Sequence, residues 1–359
     1  NGFKLSFINW IIFAVFGAVF SEPFMALFTE NDYIIQQGKN YLMIITIGCL
    51  FMMVQMSCEK ILQSTGNMIL PMFSTLTGAI INIILDPILI FGLLGAPKLG
   101  MIGAAIATVI GQACGMILAC LILFKKEHAI KINLKEKFNK KTLKEIYAVG
   151  GPTIVMQAIA SIMNLGMNGI LATFSDTAVA VMGVYGRLQS FIFMPVFGIN
   201  QGSMPVFGYN YGAKHRKRVM KAFRVALIIA LIIMGIGLVL FQTIPSVFLG
   251  WFNASEAMYE LGVPAFRTIS ICFLPAAFGI ISTGLFGATG HGLVSLVGSL
   301  IRQLIGILPL AWILAQVGGA SAVWWAFPMA EVLGLIYSII MIRYIYKKDI
   351  LTLDIQIEN

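Results

Sequence analysis

Few side chains in this 359-residue chain can do chemistry, and the informative ones sit inside long apolar runs. Asn82 and Asp86 lie in INIILDPILI (81–90), four residues apart, so a helix presents them on one face. Pro87 follows directly. It has no N–H, which leaves the carbonyl of Ile83 without its helical donor. A carboxylate, an amide and a free carbonyl on one face can hold a proton or a small cation. Thr108, in GAAIATVIGQ (103–112), offers a hydroxyl from the next run. The competing reading is a neutral buried Asp86, or one at a helix end near the outer water. Ion binding is preferred, because ionisable groups within spans are costly and usually mark function.

Other polar groups fall in later runs. Gln157, Asn164 and Asn168 share one, with the two asparagines again four apart. They either line a water-filled cavity or hydrogen-bond between helices. Glu331, in FPMAEVLGL (327–335), is a second mid-run acid, either a protonation site or the partner of Arg302. Arg187, Arg267 and Arg302 are read as pairing with a carbonyl or an acid to hold a bundle together. Glu59 with Lys60, and Glu22, read as interfacial groups, paired or snorkelling.

No catalytic residue and no metal site is expected. There is no Gly-Lys-Ser/Thr after the glycine of GNMILPM, no H-E-x-x-H, no G-x-S-x-G and no nucleotide fingerprint. His128, His215 and His291 do not cluster as ligands. The chain is read as a non-enzyme without a cofactor.

Composition says where these groups must sit. Apolar residues make up 59% and charged residues 11%, with a mean hydropathy of +0.91. A soluble protein of this length needs a charged surface that this chain lacks. An ordinary cytosolic enzyme, a disordered chain and a disulfide scaffold are excluded. The five cysteines lie in apolar stretches without C-x-x-C spacing and read as small buried side chains. Ten apolar segments are long enough to cross a bilayer, near 5–28, 40–63, 70–94, 102–124, 145–172, 178–207, 221–244, 259–285, 293–315 and 322–346. Helices are expected throughout, because they satisfy their own backbone in lipid.

The net charge of +9 is not a nucleic-acid footprint. Of 24 Lys and Arg, eight fall in 125–144 and six in 214–224, which is the positive-inside pattern of short cytoplasmic loops. The opposite connections hold only Lys39 and Lys98. Both visible ends are therefore placed in the cytoplasm. The stretch 127–144 is the one long polar linker. It divides an N-lobe (1–126) from a C-lobe (145–348), with a cytoplasmic tail at 349–359.

The two sides of the linker resemble each other. QSTGNMILP (63–71) matches GATGHGLVS (287–295) at an offset of 224, and Glu22-Pro23 matches Ile244-Pro245 at 222. At that offset residues 145–222, which hold two spans, have no counterpart in the first half. The chain also begins at Asn1 without a start methionine. The expectation is an N-terminally truncated copy of a protein with six plus six helices, a parallel repeat about the membrane normal.

These residues resemble a known family, multidrug and toxic compound extrusion (MATE), over essentially the whole chain. GINQGSMPVFGYNYGAKHRKRV (198–219) is similar to the signature between that family's eighth and ninth helices. EKILQSTGNMILPM (59–72), NIILDPILIFG (82–92), GMIGAAIATVIGQ (100–112) and SLIRQLIGILPL (299–310) match as well. The signature is similar to the DinF-like branch.

The resemblance implies an all-α bundle of two six-helix lobes, with ten spans present here and the first two helices missing. It implies a monomeric antiporter in the bacterial plasma membrane. Such an antiporter exports lipophilic or cationic small molecules in exchange for protons or sodium ions, by alternating access. The implied N-lobe cation site uses an Asp on the first helix, an Asn and an Asp on the fifth and a Thr on the sixth. The last three map onto Asn82, Asp86 and Thr108. The branch represented by NorM carries acids on its seventh and tenth helices. Here the seventh offers Gln157 and the tenth has no mid-span acid, which places coupling in the N-lobe.

The alternative function is a lipid-linked oligosaccharide flippase of the same superfamily. Its cavity would need cationic groups for phosphate, and only Arg187, Arg267 and Arg302 are available. A third reading is a non-transporting membrane scaffold or sensor.

Overall fold

Apolar runs of this length can satisfy their backbone in lipid only as helices or closed barrels. The structure, a computed structural model, describes residues 1–27, 29–65, 67–125 and 139–351, and is helical almost throughout. Most of the linker and tail read from the sequence, His128 with them, lie outside the described residues, as do Phe28 and Gly66.

The chain divides between Leu143 and Lys144 into two compact units. The first holds α1 (Gly2–Ala26), α2 (Asp32–Ser64), α3 (Ile69–Phe91) and α4 (Met101–Lys125). The division falls in the first turn of α5 (Lys140–Ala172). The second unit continues with α6 (Asp176–Gly212), α7 (Arg216–Thr243), the short α8 (Pro245–Gly250), α9 (Glu256–Ser270) and α10 (Phe273–Ala288). Then come α11 (Gly292–Ser299), a π-helical stretch (Leu300–Ile307), α12 (Leu308–Val323), α13 (Ala326–Ile345) and a π-helical end (Tyr346–Ile350).

Among the described residues nine helices, counting the run Gly292–Val323 as one, are long and apolar enough to cross a membrane. The pair α9 and α10, bent by 49°, supplies a tenth. The bend has a local cause. Pro275 cannot donate to the carbonyl of Ile271, so the helix breaks between Ser270 and Phe273.

The outer surface is that of a protein in lipid. Large apolar side chains such as Phe13, Phe16 and Val19 on α1, and Ile232, Ile236 and Val239 on α7, point outward. In water such faces would be a liability; against acyl chains they are neutral.

Small residues draw the helices of the first unit together. Gly78 of α3 and Gly111 of α4 lie backbone to backbone. A methyl group on Gly78 would sit 2.9 Å from the Gly111 carbonyl oxygen, and one on Gly111 would sit 2.6 Å from that of Gly78. The second unit has an aromatic core. Phe241 packs against Phe266 and Phe273 with ring centroids 5.4 and 5.3 Å apart, and Tyr185 meets Phe241 edge-on at 6.0 Å.

Several boundaries differ from the sequence expectation. The second span begins at Asp32, not near residue 40, because Asn31 caps it by accepting from the backbone N–H groups of Tyr33 and Ile34. The connection expected at 316–321 is helical, interrupted at Gly319, whose φ of +65° no L side chain adopts easily. The cysteines are free thiols, with Cys58 and Cys272 buried and the other three partly so.

Candidate ion site and cavity

On α3, Ser74, Gly78, Asn82 and Asp86 recur every four residues and form one polar or small stripe facing α4. The close approach at Gly78 and Gly111 lets side chains further along meet across the helix pair. Asn82 Nδ2 donates to Asp86 Oδ1 at 3.2 Å and to Thr108 Oγ1 at 3.4 Å. Thr108 Oγ1 in turn donates to the Ala104 carbonyl at 2.9 Å. The three residues singled out by type and spacing are thus one cluster, each half-buried. Helix α3 runs through Pro87 to Phe91, where Gly92 (φ +76°) ends it in the left-handed conformation. Among the described residues no Lys, Arg or His pairs with Asp86.

A second polar cluster of this unit went unread in the sequence. Glu59 Oε1 accepts from Gln55 Nε2 (2.9 Å), Ser74 Oγ (3.0 Å) and Thr75 Oγ1 (2.8 Å). Ser74 also lies 3.1 Å from the Gly115 carbonyl of α4. Of the two readings for Glu59 and Lys60, an ion pair or snorkelling, the pair does not form, and the exposed Lys60 binds Gln63 Oε1 at 3.1 Å. Adjacent residues on a helix point about 100° apart, so Glu59 turns toward α3 while Lys60 turns outward. The available signal was the spacing of four between Gln55 and Glu59. Glu22, by contrast, is exposed and pairs with Lys39 at 2.6 Å.

The second unit contains a cavity of about 700 Å³. Gln157, Asn164, Asn168 and Glu331 all line it, as do Arg302 and Gln303. The two asparagines reach no other helix among the described residues, since the amide of Asn164 binds the Ala160 carbonyl of its own helix at 3.0 Å. Their polar groups serve the cavity wall.

The choice left open for Glu331 is also decided in part: Arg302 Nε lies 3.4 Å from Glu331 Oε1. Arg187 and Arg267 lie elsewhere. The guanidinium of Arg187 stands 6.0 Å from the Phe252 ring centroid, and Arg267 Nε donates to the Gln242 carbonyl at 3.2 Å. For Arg267 the expected partner was a carbonyl or an acid, and it is a carbonyl.

Fold and sites together define a polytopic helical membrane protein with an oxygen-rich carboxylate cluster in one unit and, in the other, a large cavity of mixed apolar and polar lining. The MatE family profile matches residues 1–88 and 152–313. The chain is 26% identical to the multidrug export protein MepA of Staphylococcus aureus (strain bovine RF122 / ET3-1) over 342 residues, 93% of this chain and 73% of that protein. Among solved structures, a MOP superfamily transporter from Pyrococcus furiosus superposes with a TM-score of 0.88 at 21% identity, covering 98% of this chain and 78% of that one. The MATE multidrug transporter DinF-BH superposes with a TM-score of 0.85 at 30% identity, covering 97% and 77%. The chain belongs to the MatE family, and its likeness to DinF-BH supports the DinF-like branch.

Proposed function

We propose that this protein exports lipophilic, cationic small molecules across the cell membrane in exchange for protons or sodium ions, by alternating access of its two lobes. The carrying observation is the cluster of Asn82, Asp86 and Thr108, in which Asn82 bridges the Asp86 carboxylate to the Thr108 hydroxyl of the next helix and the carboxylate has no cationic partner among the described residues. An unpaired carboxylate inside a span is expensive unless it has an ion to bind. The inward-moving ion binds there, and its charge is what couples the gradient to export. The membership in a family whose relatives include multidrug export proteins supports the substrate class.

The flippase alternative draws no support from the cavity. Arg302 is the one arginine in its described wall, and it already faces Glu331. Phosphate recognition would call for unpaired cations.

The test is ethidium efflux from vesicles holding the full chain, under a proton gradient and a sodium gradient applied separately, with Asp86→Asn alongside. Efflux should follow at least one gradient and fall to the rate of empty vesicles in the variant. Undiminished gradient-driven efflux by well-folded Asp86→Asn would sink the proposal.

A further inference from the structure

Within the described wall of the second unit's cavity, Arg302 and Glu331 are the only charged residues. Around them the wall is made of methionines, amides and the rings of Phe193, Phe197 and Phe327. That surface suits a flat apolar molecule, and the pair decides which charge such a molecule can bring.

The pair is loosely made. Arg302 Nε lies 3.4 Å from Glu331 Oε1, longer than the roughly 2.7–2.9 Å of a good charge-assisted hydrogen bond. A guanidinium carries five donors and a carboxylate two acceptor oxygens. Among the described residues neither side chain makes a hydrogen bond; Arg302 is partly open, with 21% of its side chain exposed, while Glu331 is buried but for the edge it shows to the cavity. A pair in this condition is easier to separate than a bidentate one.

Glycines make room for Arg302 where it lies. Its stem runs over Gly334 of α13, where an added methyl group would touch Cδ at 3.4 Å. Its Nη1 lies 3.6 Å from the corresponding point on Gly279 of α10. Beyond it a side pocket of about 10 Å³, room for one water, is lined by Arg302, Glu331, Tyr337 and Ser338. Arg302 and Glu331, with Thr283 and Ser299, line both that pocket and the large cavity. Arg302 stands in the π-helical stretch Leu300–Ile307, a local form that recurs at functional sites.

We propose that Glu331 is the carboxylate that meets the positive charge of a bound substrate. Arg302 is then a tethered cation that holds that position while the cavity is empty and yields it on binding. The pair makes the empty cavity neutral, so no lone charge is stranded in the membrane. A lipophilic cation replaces Arg302 at Glu331 and stacks on the phenylalanine rings. A neutral molecule of the same shape displaces nothing. The inference rests on the export of lipophilic cations proposed above, and names the residues that select for charge.

The test compares the affinity of the purified full chain for ethidium, a cation, and Nile red, a neutral dye. Glu331→Gln should weaken ethidium binding roughly tenfold or more while leaving Nile red unchanged. Arg302→Gln removes the competitor and should tighten ethidium binding. Each single variant leaves one charge unpaired and can cost stability, so Arg302→Gln with Glu331→Gln is included as the neutral replacement. The double variant should bind ethidium more weakly than the parent, but less weakly than Glu331→Gln, which keeps the repelling Arg302.

A merely structural pair would move both dyes together, so the ratio of the two affinities is the readout. An unchanged ratio in the double variant, or in folded Glu331→Gln, overturns the proposal. A parent protein that binds neither dye would instead overturn the export reading, and this inference with it.

Discussion

At the scale of single residues, the ion cluster works because each hydrogen bond has a defined direction. Asn82 has two amide hydrogens and donates them to Asp86 and Thr108, while the Thr108 hydroxyl donates to the Ala104 carbonyl. Asp86 keeps an oxygen available for an ion. Thr108→Val should therefore weaken coupling without abolishing it. The lost bond is worth about 0.5–1.5 kcal/mol, or roughly two- to tenfold in the ion concentration giving half-maximal efflux. Ser74 plays a different part, tying α2, α3 and α4 through Gln55, Glu59 and Gly115. Ser74→Ala should lower stability by about 1–3 kcal/mol, read as a lower thermal midpoint in detergent, because it strands buried partners.

At the scale of elements, the site depends on how closely α3 and α4 approach. Gly111 leaves no room for a side chain against Gly78. Gly111→Val should push the helices apart, cost about 1–3 kcal/mol by overpacking and open the Asn82–Thr108 contact. Loss of both thermal stability and gradient-driven efflux is the expected result. Gly198 is the control: it sits within α6 with nothing near the place a methyl group would take. Gly198→Ala should be neutral, or stabilise by up to about 1 kcal/mol through helix propensity. A destabilisation of Gly198→Ala equal to that of Gly111→Val would show that close packing is not what distinguishes them.

At the scale of the whole molecule, the surface is built for lipid and the interior is mostly apolar, with a few small polar networks set into it. Trp312 is 60% exposed, whereas Trp324 is 1% exposed. In single-tryptophan variants, brominated lipids should quench Trp312 strongly and Trp324 hardly at all. Equal quenching of the two would contradict the assignment of the exposed apolar faces to lipid.

Much of this protein was legible in its sequence, for physical reasons. The bilayer requires runs of about 20 apolar residues, so ten spans could be counted without any tertiary knowledge. The spacing of four between Asn82 and Asp86 follows from helix geometry alone, and so did their shared face. Which helix then meets that face is a packing question. Thr108 joins Asn82 because Gly78 and Gly111 let two backbones touch, and Glu59 leaves Lys60 for Ser74 and Thr75 because α3 lies beside α2. The choice between cavity and helix contact for Asn164 and Asn168, and between partners for Glu331, was equally beyond a linear reading. Sequence determined what must lie in the membrane and which side chains were costly there; only tertiary packing decided which of those side chains meet, since contacts between helices depend on close approach that no local period encodes.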